Sequence, residues 1–163
     1  MDIELELFKI YDFDLYFKLV SDERVMAMIT ERAFPMEEAR VEFQKLIEHN
    51  QLDAQFGSFK IINSDTSEFM GLAKLEVEEK GAESAELGYM ILPQYWGQGL
   101  GTTVATKLVK QARKQQHLKQ LTAIIDPKNI PSRKILINNG FESVSFEDFD
   151  GLPGEILELK LHR

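Results

Sequence analysis

The chain has 163 residues, with 27 acidic against 19 basic side chains and a formal net charge of −8. That balance argues against nucleic acid, which needs a basic face, and suits a cationic partner drawn to an acidic cleft. The length predicts a single domain over residues 1–163, without a membrane span or signal-like N-terminus, and the lack of cysteine excludes a cysteine nucleophile and any thiolate metal site and fits a reducing cytoplasm.

Ile3, Leu5 and Leu7 alternate with Asp2, Glu4 and Glu6, the pattern of a strand with one exposed face. Over residues 12–29, Leu15, Leu19, Val20, Met26 and Ile29 fall at helical spacings, broken near Ser21-Asp22. Pro35 opens a clearer helix, with Ala39, Phe43, Leu46 and Ile47 on one face and Asn50 near its end. Residues 57–62 read as a strand and Asn63-Ser64-Asp65-Thr66 as a turn. Phe69, Gly71, Ala73, Leu75 and Val77 line one face of a long strand. Glu79-Lys80-Gly81-Ala82 then turns the chain back into a strand ending near Leu92.

That strand runs into Gly97, Gly99 and Gly101, and a helix follows with Leu100, Val104, Ala105, Leu108, Val109 and Ala112 on one stripe. The first amides of a helix have no partner within it, and the dipole adds partial positive charge, so such a start can hold an anion. Glycine lets the backbone approach that ligand closely. A phosphate-bearing ligand is expected, the alternative being a glycine-rich turn with no ligand. The spacing G-x-G-x-G does not match the dinucleotide fingerprint, and Thr102-Thr103, with no lysine before Lys107, does not match a P-loop.

Residues 121–125 form a short apolar strand. Asn129 can cap a helix with Pro131 in its first turn, and Gly140 can end it. Two apolar stretches, 141–149 and 156–161, flank Asp150-Gly151-Leu152-Pro153-Gly154, which reads as a hairpin loop. The order is β-α-α-β-β-β-α-β-α-β-β. His49, His117 and His162 stand far apart, form no H-x-x-x-H pair and read as surface residues, so no metal site is expected.

Trp96-Gly97-Gln98-Gly99-Leu100-Gly101, followed by Asn129-Ile130-Pro131-Ser132 and Gly140-Phe141, resembles the GCN5-related N-acetyltransferase (GNAT) family. Its pyrophosphate loop is Gln/Arg-x-x-Gly-x-Gly/Ala, and its second block is Asn-x-x-Ser/Ala followed by Gly-Phe. Trp96 departs from the usual Gln or Arg and lacks their donors. With Glu86-Leu87-Gly88-Tyr89 upstream, it resembles the ribosomal-protein N-terminal acetyltransferase branch. The resemblance spans about residues 1–161. It implies an α/β (α+β) fold, with a mixed, mostly antiparallel central sheet flanked by helices and a splay between the fourth and fifth strands.

The resemblance also implies acetyl-CoA as co-substrate. Backbone N–H groups of Gln98, Gly99, Gly101 and Thr102 would hold its pyrophosphate, and the Asn129 side chain would meet the pantetheine arm. Amides near Met90, Ile91 and Leu92 would meet pantetheine and the thioester carbonyl. The acceptor would be an amine: a protein N-terminus, a polyamine or an aminoglycoside-like molecule, the branch tilting towards the first. A homodimer is compatible with the sequence.

Making an amide from a thioester requires a neutral amine, a stabilised oxyanion and a departing thiolate. Glu86 is the candidate base. By alternation it shares a face with Gly88, Met90 and Leu92, and its alternative roles are a structural hydrogen bond or amine binding. Glu76 and Glu78 on the neighbouring strand are rivals. The tyrosine that often protonates the thiolate in the family is replaced by Leu136, leaving Ser132 to serve directly or through water, or simply as a helix-start hydroxyl. Tyr89 points to the opposite face from Glu86, which suggests core packing. The same fold without turnover, as an acyl-CoA-binding sensor or interaction module, is the competing reading.

Overall fold

A computed structural model describes residues 1–162. Seven segments pair into one sheet: β1 Ile3–Leu7, β2 Gly57–Asn63, β3 Phe69–Glu76, β4 Ser84–Ile91, β5 Gln120–Ile125, β6 Glu142–Phe149 and β7 Leu152–Lys160. Their order across the sheet is β1-β2-β3-β4-β5-β7-β6, antiparallel throughout except between β4 and β5. The helices are α1 Phe13–Val20, α2 Glu23–Met26, α3 Met36–Asn50, α4 Leu100–Arg113 and α5 Ile130–Asn138. This is the mixed, mostly antiparallel sheet with flanking helices that the resemblance implies.

The parallel pair positions the site. β4 and β5 match only at Ser84–Gln120, Ala85–Leu121 and Glu86–Thr122. Beyond Glu86, β4 stays with β3 as far as Ile91 while β5 stays with β7 as far as Ile125, so the two strands separate. A parallel pair needs a crossover, and α4 provides it. Its stripe of Leu100, Val104, Leu108 and Ala112 packs on Ala73, Leu75 and Leu87 of the sheet. On the other face, Tyr16 and Leu19 of α1 and Phe43 and Ile47 of α3 cover Leu72 and Leu92. Phe8 joins that layer through edge-on contacts to Tyr16, Phe43 and Phe69, a geometry aromatic rings favour. The Asn50 amide fixes α3 to the sheet: it donates to the carbonyls of Phe8 and Ser58 at 3.1 Å each and accepts from the Ser58 amide at 2.8 Å.

Three local expectations change. The helical spacing over residues 12–29 becomes α1 and a short α2 capped by Asp22, which accepts from the Arg24 amide at 2.8 Å. Met28 and Ile29 lie beyond α2 and are exposed, so they are not core. The five-residue hairpin loop shrinks to Asp150-Gly151, with φ of +53° and +89°, while Leu152, Pro153 and Gly154 already belong to β7. Positive φ at both central residues is the turn that suits the twist of a hairpin. Pro153 is tolerated in β7 because β5 pairing begins only at Glu155, so that side needs no N–H from it. Finally, β3 stops at Glu76, one residue short of Val77.

Candidate active site

The glycine spacing has two separate causes. Gly97 and Gly99 sit at φ of +77° and +76°, where a side chain is strained, and no atom lies within 4 Å of where their Cβ would be. Gly101 has ordinary backbone angles but a Cβ there would sit 3.0 Å from Ile135 Cδ1, so its smallness lets α4 and α5 approach. Gly99 caps α4 without a side chain, and the Thr103 amide is the first to bond back, to the Gly99 carbonyl at 3.1 Å. The amides of Leu100, Gly101 and Thr102 therefore begin the helix without intrahelical partners. Leu100 joins the expected set because the helix starts there.

The end of β4 lies beside this loop. The Leu92 amide donates to the Met70 carbonyl at 2.9 Å. Ladder alternation then turns Met90, opposite Leu72, towards β3 as well, and leaves the backbone groups of Tyr89 and Ile91 facing the splay. Of the three amides expected here, Ile91 faces the splay, Met90 and Leu92 face β3, and Tyr89 is an addition. Trp96 confirms that orientation, since its indole Nε1 donates to the Ile91 carbonyl at 2.8 Å. The residue without Gln or Arg donors thus ties the glycine loop to the strand end.

A cleft of about 570 Å³ runs along these groups, lined by Gly97, Gly99, Gly101, Thr102, Ile91, Asn129 and Ser132. Gln98 flanks it, its side chain directed to the Gln94 carbonyl at 3.4 Å. Asn129 caps α5, its Oδ1 accepting from the Ser132 amide at 3.3 Å. Leu136 is buried to 1% exposure and packs in the core, one turn beyond Ser132. Tyr89 modifies the core-packing expectation. Its ring packs against the core, yet its hydroxyl donates to Ser132 Oγ at 3.2 Å and borders the cleft. Burial pushes this phenol up from its ordinary range, partly offset by the bond to Ser132.

On the other side of β4 a second cleft of about 590 Å³ opens between α3, β3, β4 and the β6–β7 hairpin. Glu86, Glu76, Glu42, Glu31 and Asp126 line it, against Lys45 and Lys74. His49, read as a surface residue from sequence, is half-buried in its wall. Glu86 is ion-paired with Lys74, Nζ to Oε2 at 2.7 Å. Glu76 stands opposite Glu86 in register, while Glu78 lies beyond the end of β3. Sequence reading overlooked Lys74 because it followed only the apolar face of β3. Pairing that strand's other face with β4 across the Glu79–Ala82 turn would have set Lys74 near Glu86. The two clefts share Met28, Ile29, Tyr89 and Met90, so they meet at the splay.

Comparison with known proteins fits this geometry. The Acetyltransferase (GNAT) domain family matches residues 2–142. The uncharacterized N-acetyltransferase p20 of Bacillus licheniformis is 23% identical over 158 residues, covering 96% of this chain and 89% of that protein. Spermidine N-acetyltransferase from Vibrio cholerae, solved in complex with CoA and spermine, superposes with a TM-score of 0.80 at 16% identity, covering 98% of this chain and 95% of that one. RimL, a ribosomal L7/L12 alpha-N-protein acetyltransferase solved with coenzyme A, gives 0.79 at 16% identity, with 98% and 94% covered. At such identities the solved structures establish the fold, and the family match over most of the chain establishes descent. The chain belongs to the GNAT acetyltransferase family and is an acetyl-CoA-dependent acyltransferase.

Proposed function

We propose that this protein is a cytoplasmic, single-domain N-acetyltransferase whose acceptor is a primary amine carried on a cationic molecule. The observation that carries the reading is the meeting of two unlike clefts at Met28, Ile29, Tyr89 and Met90. One cleft offers free amides and an apolar strip, the other an excess of carboxylates.

The donor cleft suits acetyl-CoA, whose bound form supplies an activated acetyl thioester. Left-handed glycines leave open space at the loop, and unpartnered amides there match a pyrophosphate. Amides of Gln98, Gly99, Leu100, Gly101 and Thr102 would hold it, and Asn129 would meet the pantetheine arm. The amides of Tyr89 and Ile91, which face the splay, would stabilise the developing oxyanion. Glu86 would receive the ammonium group of the acceptor and take up its proton, directly or through water, so that the amine attacks uncharged. The Tyr89–Ser132 hydroxyl pair would deliver a proton to the departing sulfur. Bonds and protons balance: C–N forms, C–S breaks, and of the three ammonium protons one stays on the amide nitrogen, one ends on the thiol and one in solvent. The acidic second cleft supports a polyamine-like or N-terminal amine, two acceptor types found separately among the fold's neighbours.

Calorimetric titration with acetyl-CoA and NAD, followed by thiol release against a panel of amines, tests the reading. Acetyl-CoA should bind in the micromolar range and NAD should not. Glu86→Gln should lower kcat/KM for the preferred amine by roughly 100-fold while sparing acetyl-CoA binding. Full activity in that variant would remove Glu86 from the mechanism, and absence of acetyl-CoA binding would overturn the donor site.

A further inference from the structure

Lys74 lies directly opposite Gly88 in the β3–β4 register. Gly88 has no side chain to block it: a Cβ at that position would stand 3.3 Å from Lys74 Cε. The lysine stem therefore crosses the strand pair diagonally and sets its ammonium 2.7 Å from Glu86 Oε2. With the side chains 28% and 36% exposed, the pair sits in the wall of the acidic cleft, within reach of a solute. Partners buried in a core are exchanged only by unfolding, but this one can be exchanged by a ligand.

We infer that Lys74 limits acceptor affinity: its ammonium occupies, on Glu86, the seat that an acceptor's cationic nitrogen takes, so that acceptors bind by displacing it. The inference rests on the reading above that Glu86 faces the acceptor. Binding is then an exchange of one ion pair for another, and a lone ammonium gains little by it. An acceptor with a second cationic group gains more, because Glu42, Glu31 and Asp126 line the same cleft and can receive that group. The displaced Lys74 has Glu76 two residues along on its own face of β3 as its next partner. Lys74 thereby sets a displacement cost that every acceptor meets, and a second ion pair to the other carboxylates offsets it.

The test is the Kd of the CoA-loaded protein for spermidine and for a monoamine of similar length, in wild type, Lys74→Met, Lys74→Arg and Glu86→Gln. Met keeps the apolar stem that Gly88 accommodates. Lys74→Met should tighten the binding of both amines roughly three- to fivefold, the size of a partly exposed ion pair. Lys74→Arg should behave as wild type, and CoA affinity should not move in any variant. A purely structural ion pair would lower the melting temperature on Lys74→Met without tightening either Kd. Unchanged amine Kd values in Lys74→Met overturn the inference while leaving the acetyltransferase reading intact. Unchanged amine binding in Glu86→Gln overturns the seat itself, and with it the placement of the acceptor. If Lys74→Met does not fold, Lys74→Gln gives the same comparison.

Discussion

Trp96 shows how one substitution in a motif can move a function rather than delete it. Gln or Arg at this position would offer donors to a phosphate; the indole spends its single N–H on the Ile91 carbonyl at 2.8 Å. The side chain is 50% exposed, so it contributes little to the core, and its value lies in locking loop to strand. Trp96→Phe should leave the fold nearly unchanged and weaken acetyl-CoA binding about fivefold, the equivalent of one net hydrogen bond of about 1 kcal/mol. Calorimetry checks this, and an unaltered Kd would mean the loop holds its place without the indole. Residues whose constraint is local were legible in the sequence: Gly97 and Gly99 announce an open loop before a helix, and Asn129 announces its cap. Lys74 and the hydroxyl of Tyr89 were not, because each matters through a partner 12 or 43 residues away whose position depends on strand register and helix docking.

The same division holds for elements. The stripe of α4 and the start of α5 follow from periodicity and capping, whereas Ile29 continues a helical spacing that the chain abandons after α2. What orients α5 is a contact between distant segments. Arg133 Nε donates to both oxygens of Glu155 on β7, at 3.2 and 3.0 Å, and Glu155 is only 1% exposed. A carboxylate so buried must be paired, so the bond fixes the helix that carries Asn129 and Ser132. Arg133→Ala should cost about 2–3 kcal/mol, below the range for fully buried pairs because the guanidinium is partly solvated. For a chain of this length that is a fall in Tm of roughly 5–10 °C. Glu155→Gln, which leaves no buried charge, should cost less. Equal melting temperatures for Arg133→Ala and wild type would show that water replaces the guanidinium at no cost.

At the scale of the whole molecule, the sheet separates the glycine-loop cleft from the carboxylate-lined cleft and opens where β4 leaves β5. That opening depends on three register pairs between segments joined by a helix, and no local pattern encodes it; the family resemblance did. The layer of α1 and α3 on the side of the carboxylate-lined cleft also makes stability depend on alkaline pH. Tyr16 is buried among Phe8, Phe13 and Phe43, and burial, then the charges of Glu42 and Glu38, raise its phenol above the ordinary 10.0. Tyr89 on the other face is raised in the same direction, chiefly by burial. A raised phenol holds its proton more firmly in the folded than in the unfolded chain. The stabilisation is therefore complete below the unfolded value of 10.0 and is lost as pH rises from there through the folded values. Each tyrosine should contribute a decline approaching about 1.4 kcal/mol per pH unit within its window. Tyr16→Phe keeps the ring contacts and removes the titrating group. Urea unfolding at about pH 8 and about pH 11 should show wild type losing more stability between the two than Tyr16→Phe does. Equal losses in the two proteins would assign the alkaline transition to other groups, with Tyr89→Phe the next variant to separate the two faces of the sheet.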